Sequence, residues 1–189
     1  MFSKIKIYIR LNLARVLYRL RANYTTQDLI KRGLTVGKNF RRMHDVIIDP
    51  SHVWLITIGD NVTLAPRVHI LSHDASLCHH LGYARIGNVS IGNNVFIGAE
   101  SVILPNVSIG DNCIIGANST VSRDIPAGYV AAGSPAKVIC SIEEYRKKNE
   151  ELMSMRPKYE EEYTIRGGIT DDRKHQMRNE LKNGFGFVR

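Results

Sequence analysis

A six-residue period runs through the middle of the chain and restricts its fold more than any other feature. From Ile91 the sequence divides into IGNNVF, IGAESV, ILPNVS, IGDNCI, IGANST and VSRDIP. An aliphatic residue opens each block, at Ile91, Ile97, Ile103, Ile109, Ile115 and Val121, and Gly follows at 92, 98, 110 and 116. The fifth place holds a small or β-branched residue: Val95, Ser101, Val107, Cys113, Ser119, Ile125. An earlier block, IGDNVT and LAPRVH, begins at Ile58 and Leu64, and Ile70 keeps the spacing. A period of six fits neither a helix nor a simple alternating strand, so each block is a short strand and a turn. The opening aliphatics are expected to point inward and stack from coil to coil. The small fifth residues fit the corners, and Gly, Asn or Asp at the turns supplies positive φ.

Between Ile70 and Ile91 the phase breaks, and the stretch LSHDASLCHHLGYARIGNVS is predicted to protrude as a loop over 71–90. It carries His73, His79 and His80, and a departure from a regular scaffold is where function collects. Residues 2–21 read as an amphipathic helix, with Phe2, Ile5, Ile9, Leu13, Val16 and Leu20 on one face. Ser141 and Glu144 resemble a capping box opening a helix to about Met155, and a second short helix is predicted from about Asp172 to Asn183, closed by Gly184. The chain thus divides into a basic helical segment (1–33), a repeat domain (34–140) and a helical tail (141–189).

Charge sharpens this division. The 189 residues carry a formal charge of +8. Residues 1–33 hold eight basic side chains against one acid, residues 34–140 seven of each, and residues 141–189 eleven against ten. The repeat domain has no net basic character, which argues against a nucleic-acid partner. The basic, one-faced helix suggests either packing within an oligomer or peripheral contact with an anionic membrane through residues 1–21. No apolar run reaches the length of a membrane span. Three cysteines (78, 113, 140), an odd number without CxxC spacing, favour neither a disulfide framework nor a Cys-rich zinc site, and point to the cytoplasm.

The IGxxxx array, with the run IGANSTVSRDIPAGYVAAGSPAKVI after it, resembles the hexapeptide-repeat acyltransferases, in particular the galactoside, maltose and polysaccharide O-acetyltransferase branch. That resemblance implies a mainly β fold, a left-handed parallel β-helix of about five coils, with acetyl-CoA as acyl donor and a homotrimer as the assembly. His73, in an LxxHD context before the long repeat run, matches the family's general base, which takes a proton from the acceptor hydroxyl. Ala99 and Ala117 match positions whose backbone meets the pantetheine arm. Ser122 and Arg123 match a polar and basic pair near the nucleotide end, and Lys137 a phosphate-binding cation. Cys140 stands where some relatives carry a further basic residue.

The acceptor side is less well defined. Asp74, His79, His80 and Asp45 are candidates for acceptor binding, Asp74 also for orienting His73; Arg42, His44 and Asp49 lie in the same stretch of polar residues. No Ser or Cys nucleophile with a partnered base is evident, which favours direct acetyl transfer to a sugar hydroxyl over an acyl-enzyme. N-acetylation of an amino sugar or a xenobiotic uses the same machinery and stays open. A zinc-dependent β-helix hydratase, suggested by the histidines, and a non-catalytic scaffold are the readings from other classes. The closing signature favours a coenzyme groove and no metal.

Overall fold

The computed structural model describes residues 24–189; the helix expected over 2–21 lies outside the described residues. Two compact units form, one running to Ile142 and one from Glu143 to Arg189. The first opens with a short helix, α1 (Thr26–Lys31), capped by a reciprocal Thr25–Asp28 box and anchored by fully buried Leu29.

The repeats then wind into stacked coils of three short strands each. The first coil holds β1 (Thr35–Val36), β2 (Arg41–Arg42) and β3 (Ile47–Ile48), and the second β4 (Ile56–Ile58), β5 (Thr63–Leu64) and β6 (His69–Ile70). A hairpin of β7 (His73–Asp74) and β8 (Arg85–Ile86), with helix α2 (Cys78–Leu81) between them, interrupts the winding. The third coil is β9 (Val89–Ile91), β10 (Phe96–Ile97) and β11 (Val102–Ile103); the fourth is β12 (Val107–Ile109), β13 (Ile114–Ile115) and β14 (Thr120–Val121). A fifth begins with the bridge from Ile109 to Ile125 and β15 (Tyr129–Gly133), and antiparallel β16 (Ala136–Ser141) closes it. Corresponding strands pair in parallel to form three faces, β1-β4-β9-β12, β2-β5-β10-β13-β15-β16 and β3-β6-β11-β14.

The core follows the repeat. Ile91, Ile97, Ile103, Ile109, Ile115 and Val121 are buried, and so are the fifth-place residues from Val95 to Ile125. Burying each large aliphatic contributes about 1.5–3 kcal/mol, which makes this central stripe the main source of stability.

The turns bear out the expectation for asparagine and correct it for glycine. The second-place glycines 92, 98, 110 and 116 do not take positive φ; the fourth-place residues do, at Asn94, Glu100, Asn106, Asn112 and Asn118, with φ between 55° and 62°. Gly is needed for close approach instead: a Cβ on Gly59 would lie 2.7 Å from the Gly92 carbonyl oxygen of the next coil. Asn suits the left-handed turn because its short polar side chain tolerates αL and bonds locally. Here the side chains also bond along the stack, Asn39 to Asn61 at 2.9 Å, Asn61 to Asn94 at 2.9 Å and Asn94 to Asn112 at 3.1 Å.

In the second unit, α3 (Ile142–Met155) ends where expected. Helix α4 (Asp171–Glu180), capped by Thr170, stops before the predicted Asn183, and Gly184 lies beyond it. The terminal phenylalanines belong to this unit: Phe187 sits in β18 (Phe187–Val188), paired with β17 (Lys158–Tyr159), and Phe185 stacks edge-on against it. Tyr159 donates to Glu180 at 2.7 Å. Burial, reinforced by that carboxylate, raises the phenol to about 12.

Candidate active site

Register explains what meets at the candidate active corner. Ile48 stacks on Ile70, Ile70 on Ile103, and Ile103 on Val121. The residues that follow these four therefore lie one above another at a single edge of the prism: Asp49, Leu71, Leu104 and Ser122. Both irregularities of the winding leave from this edge, the hairpin after β6 and a short 3-10 turn, Val53–Leu55, after β3. Asp49 and His73 are 24 residues apart in sequence and are brought together only by this stacking.

Asp49 is buried and its carboxylate accepts four hydrogen bonds, three of them on one oxygen. Oδ1 accepts the Ser51 N–H at 2.9 Å. Oδ2 accepts the Ser72 N–H at 3.1 Å, the Ser72 hydroxyl at 2.7 Å, and a close hydrogen bond from Nδ1 of His73. Burial alone would raise the carboxyl; the His73 bond, with the Ser51 and Ser72 donors, outweighs it and holds Asp49 at about 2. A carboxylate on Nδ1 fixes the proton there and leaves Nε2 as the acceptor. His73 itself keeps a third of its side chain exposed, so that acceptor nitrogen belongs to a ring that reaches solvent.

An open groove of about 740 Å³ runs past this pair, lined among others by Leu71, His73, Asp74, Arg85, Leu104, Pro105 and Ser122. The structure thus brings His73 and Ser122 to one groove. Asp74 does not orient His73; Asp49 does. Asp74 instead accepts the Ser76 N–H at 2.9 Å and pairs with Arg85 at 2.9 Å across the hairpin. The Ser76 bonds first, and then Arg85, hold its carboxyl at about 2.

The other candidates fall elsewhere. His79 and His80 lie exposed on α2. Asp45 is exposed at a left-handed turn, φ 57°, and His44 is its exposed neighbour. The Arg42 guanidinium donates to the carbonyls of Tyr24 at 2.8 Å and Val46 at 2.6 Å, a structural tie. Arg123 is exposed just after Ser122. Ala99 and Ala117 occupy a different edge, the one that follows the second face. There the Asn118 N–H donates to the Ala99 carbonyl at 2.8 Å. Lys137 pairs with Ala132, whose Cβ would press on one added to Gly116, so it belongs to that same edge. Cys113 is buried in the core, as its place in the repeat predicts, and Cys78 is exposed.

Two neighbours were not anticipated from sequence. Arg85 reaches the groove from the far arm of the hairpin. His52 comes from the 3-10 turn, and its ring centroid lies 5.7 Å from that of His73.

Stacked hexapeptide coils, with a buried carboxylate–imidazole pair at one edge and small residues at another, define a transferase-type hexapeptide β-helix. Comparison with known proteins agrees. Residues 88–123 match the family described as bacterial transferase hexapeptide (six repeats). Protein CapG of Staphylococcus aureus is 42% identical over 134 residues, 68% of this chain and 78% of that protein. The galactoside O-acetyltransferase of Escherichia coli K12 is 42% identical over 118 residues. Among solved structures, a galactoside acetyltransferase in complex with coenzyme A matches at 41% identity and TM-score 0.56, covering 61% of this chain and 58% of that one. A maltose O-acetyltransferase from Clostridium difficile 630 matches at 43% and 0.52, covering 58% and 59%. The chain belongs to the hexapeptide-repeat acyltransferase family, and its fold is the family's left-handed parallel β-helix. It spans under two thirds of the length of the galactoside and maltose enzymes.

Proposed function

We propose that the protein transfers the acetyl group of acetyl-CoA to a hydroxyl of a sugar, either a cell-surface polysaccharide or its precursor. The observation that carries this reading is the Asp49–His73 pair, half-open on a groove at the edge of a hexapeptide β-helix. The galactoside and maltose specificities of the relatives support the acceptor class, and the coenzyme-bound galactoside enzyme supports the donor.

In this reading Nε2 of His73 removes the acceptor hydroxyl proton as the oxygen attacks the thioester carbonyl. Asp49 holds Nδ1–H and stabilises the imidazolium that forms. The tetrahedral intermediate then collapses, the coenzyme A thiolate leaves, and His73 returns the proton to it. Asp74 and Arg85 border the acceptor end of the groove; His79, His80 and Asp45 are further acceptor contacts. Ser122, Arg123, Ala99, Ala117 and Lys137 hold the coenzyme. Those five sit on two different edges of one prism, which is the arrangement expected of a homotrimer whose sites form between neighbouring chains, His73 from one and the alanine edge from the next. Among the described residues no helix is long and apolar enough to cross a membrane, and membrane contact through residues 1–21 remains part of the proposal.

The test is acceptor-dependent release of free thiol from acetyl-CoA across a sugar panel. Release that disappears in His73→Ala supports the assignment. Release unaffected by that change sinks His73 as the base, and absence of release with every acceptor sinks the transferase reading.

A further inference from the structure

The first coil is longer than the regular ones, and the extra residues deliver a side chain that the acyl-transfer chemistry does not use. Ser90 pairs with Ser108, eighteen residues on, whereas Thr35 pairs with Thr57, twenty-two on. The surplus forms the turn after Asp49, where fully buried Val53 plugs into the core and the Leu55 N–H donates to the His52 carbonyl at 2.9 Å. This fixes His52 beside the active pair, edge-on to Trp54 at 5.3 Å and 5.7 Å from the ring of His73. Its Nδ1 is buried without a hydrogen-bond partner. A desolvated imidazole nitrogen left unpaired is costly unless something occupies the space before it. Asp49, His52 and His73 each offer one ligating atom, and these atoms all lie within 4.8 Å of one another.

We propose that Asp49, His52 and His73 bind a divalent transition cation of the zinc type, and that this cation and the catalytic form of His73 exclude one another. Two imidazole nitrogens and one carboxylate oxygen suit zinc, cobalt or nickel, whereas magnesium and calcium prefer oxygen ligands. At zinc–ligand distances of about 2.0–2.1 Å, tetrahedral ligand atoms stand roughly 3.4 Å apart, so modest rotation of the two rings closes the cluster. His52 gives up no hydrogen bond on binding, and Oδ1 of Asp49 carries only the Ser51 N–H.

The exclusion follows from the imidazole tautomer. With Nδ1 of His73 as the ligating atom, the ring must change tautomer: the proton it shares with Asp49 leaves to solvent and Nε2 takes one up from solvent, with no net change in the ring's charge. No electron changes hands. An imidazole protonated at Nε2 cannot take the acceptor's proton, so the loaded protein is switched off. The binding part stands independently of the proposed function; the switching part rests on His73 being the base.

The test uses the full chain freed of metal with a chelator and then titrated with Co²⁺ and Zn²⁺. Expected are one ion per chain, a tetrahedral cobalt visible spectrum without a thiolate charge-transfer band, and loss of thiol release at the zinc concentration that saturates binding. His52→Gln is expected to keep metal-free turnover while weakening zinc binding by about 10–100-fold or more, the scale set by loss of even an outer-shell partner. A thermal shift on zinc addition, present in the wild type and lost in His52→Gln, gives the same answer without reference to activity. Unchanged zinc affinity in His52→Gln overturns the site. A thiolate-to-cobalt band overturns it too, by moving the ion to Cys78 and its neighbouring histidines. Full zinc occupancy with undiminished turnover overturns the exclusion: if His73→Ala is also active the fault lies with the base assignment, and if His73→Ala is dead it lies with the site.

Discussion

Replacing Asp49 by Asn separates the carboxylate's charge from its shape. Oδ2 faces three donors, from the Ser72 backbone, the Ser72 hydroxyl and His73, and Oδ1 faces one, from Ser51. An asparagine must therefore turn its carbonyl oxygen toward Ser72 and His73, which leaves its NH₂ against the Ser51 N–H. Loss of the charge costs what protonating the native carboxylate costs, about 2 kcal/mol for a group held at about 2 instead of 3.8. The donor-against-donor contact at Ser51 adds about 1 kcal/mol, so the variant is destabilised by about 3 kcal/mol but folds. Its imidazole keeps the Nδ1–H···O bond and its orientation, yet the imidazolium formed during proton transfer no longer faces an anion. We expect kcat to fall by about 10²–10³-fold, within the range for general-base catalysis, with the KM for acetyl-CoA little changed. Acceptor-dependent thiol release at saturating substrates measures kcat, with His73→Ala as the floor and circular dichroism melting as the check on folding. A folded Asp49→Asn protein within about threefold of the wild-type kcat would refute the claim that this carboxylate supports proton transfer. A loss confined to the acceptor KM would make Asp49 an acceptor contact instead.

Two further outcomes follow from the same geometry. Because the folded-state pKa of Asp49 is depressed, its stabilisation is complete above pH 3.8 and is lost as the pH falls toward about 2. Urea midpoints should therefore fall more steeply between about pH 4 and pH 2 in the wild type than in Asp49→Asn; equal slopes would mean that the carboxylate is not held low in the native state. Gly59→Ala should lower stability by about 2–3 kcal/mol in thermal denaturation, since its Cβ would meet the Gly92 backbone at 2.7 Å and the coils must part to admit it. Gly82→Ala, with nothing within 4 Å but a φ of +72°, should cost about 1 kcal/mol, and equal losses at the two positions would refute the close-approach account.

The fold was legible because a six-residue period leaves the chain few ways to bury its aliphatics. The six block-opening aliphatics, Ile91, Ile97, Ile103, Ile109, Ile115 and Val121, all lie inside, and so do the fifth-place residues. The turn chemistry was legible in kind but not in place. Glycine, asparagine and aspartate are all expected at positive φ; asparagine carries most of the left-handed turns, while glycine serves the approach of one coil to the next. Three fourth-place residues break the asparagine habit, Asp45, Arg67 and Glu100, with φ 57°, 60° and 61°. Arg67 and Glu100 pair with each other, so each of these two meets an opposite charge where an asparagine would extend the ladder. His73 was legible because it stands where the period fails. Its partner was not, since Asp49 comes next to it only through the register that sets Ile48 on Ile70. Asp74, adjacent in sequence, looked the better partner, but successive residues of a strand point to opposite faces, and Asp74 turns to Arg85. The signal that could have found Asp49 was the phase of the first coil. Carrying the stack of aliphatics back from Ile70 to Ile48 places the residue after each at one edge, and Asp49 is the acid that results. The same step carries the turn beyond it, and with it His52, to that edge. In a β-helix a functional pair is separated by a coil's length rather than by a few residues, so the informative coordinate is a residue's place within its repeat.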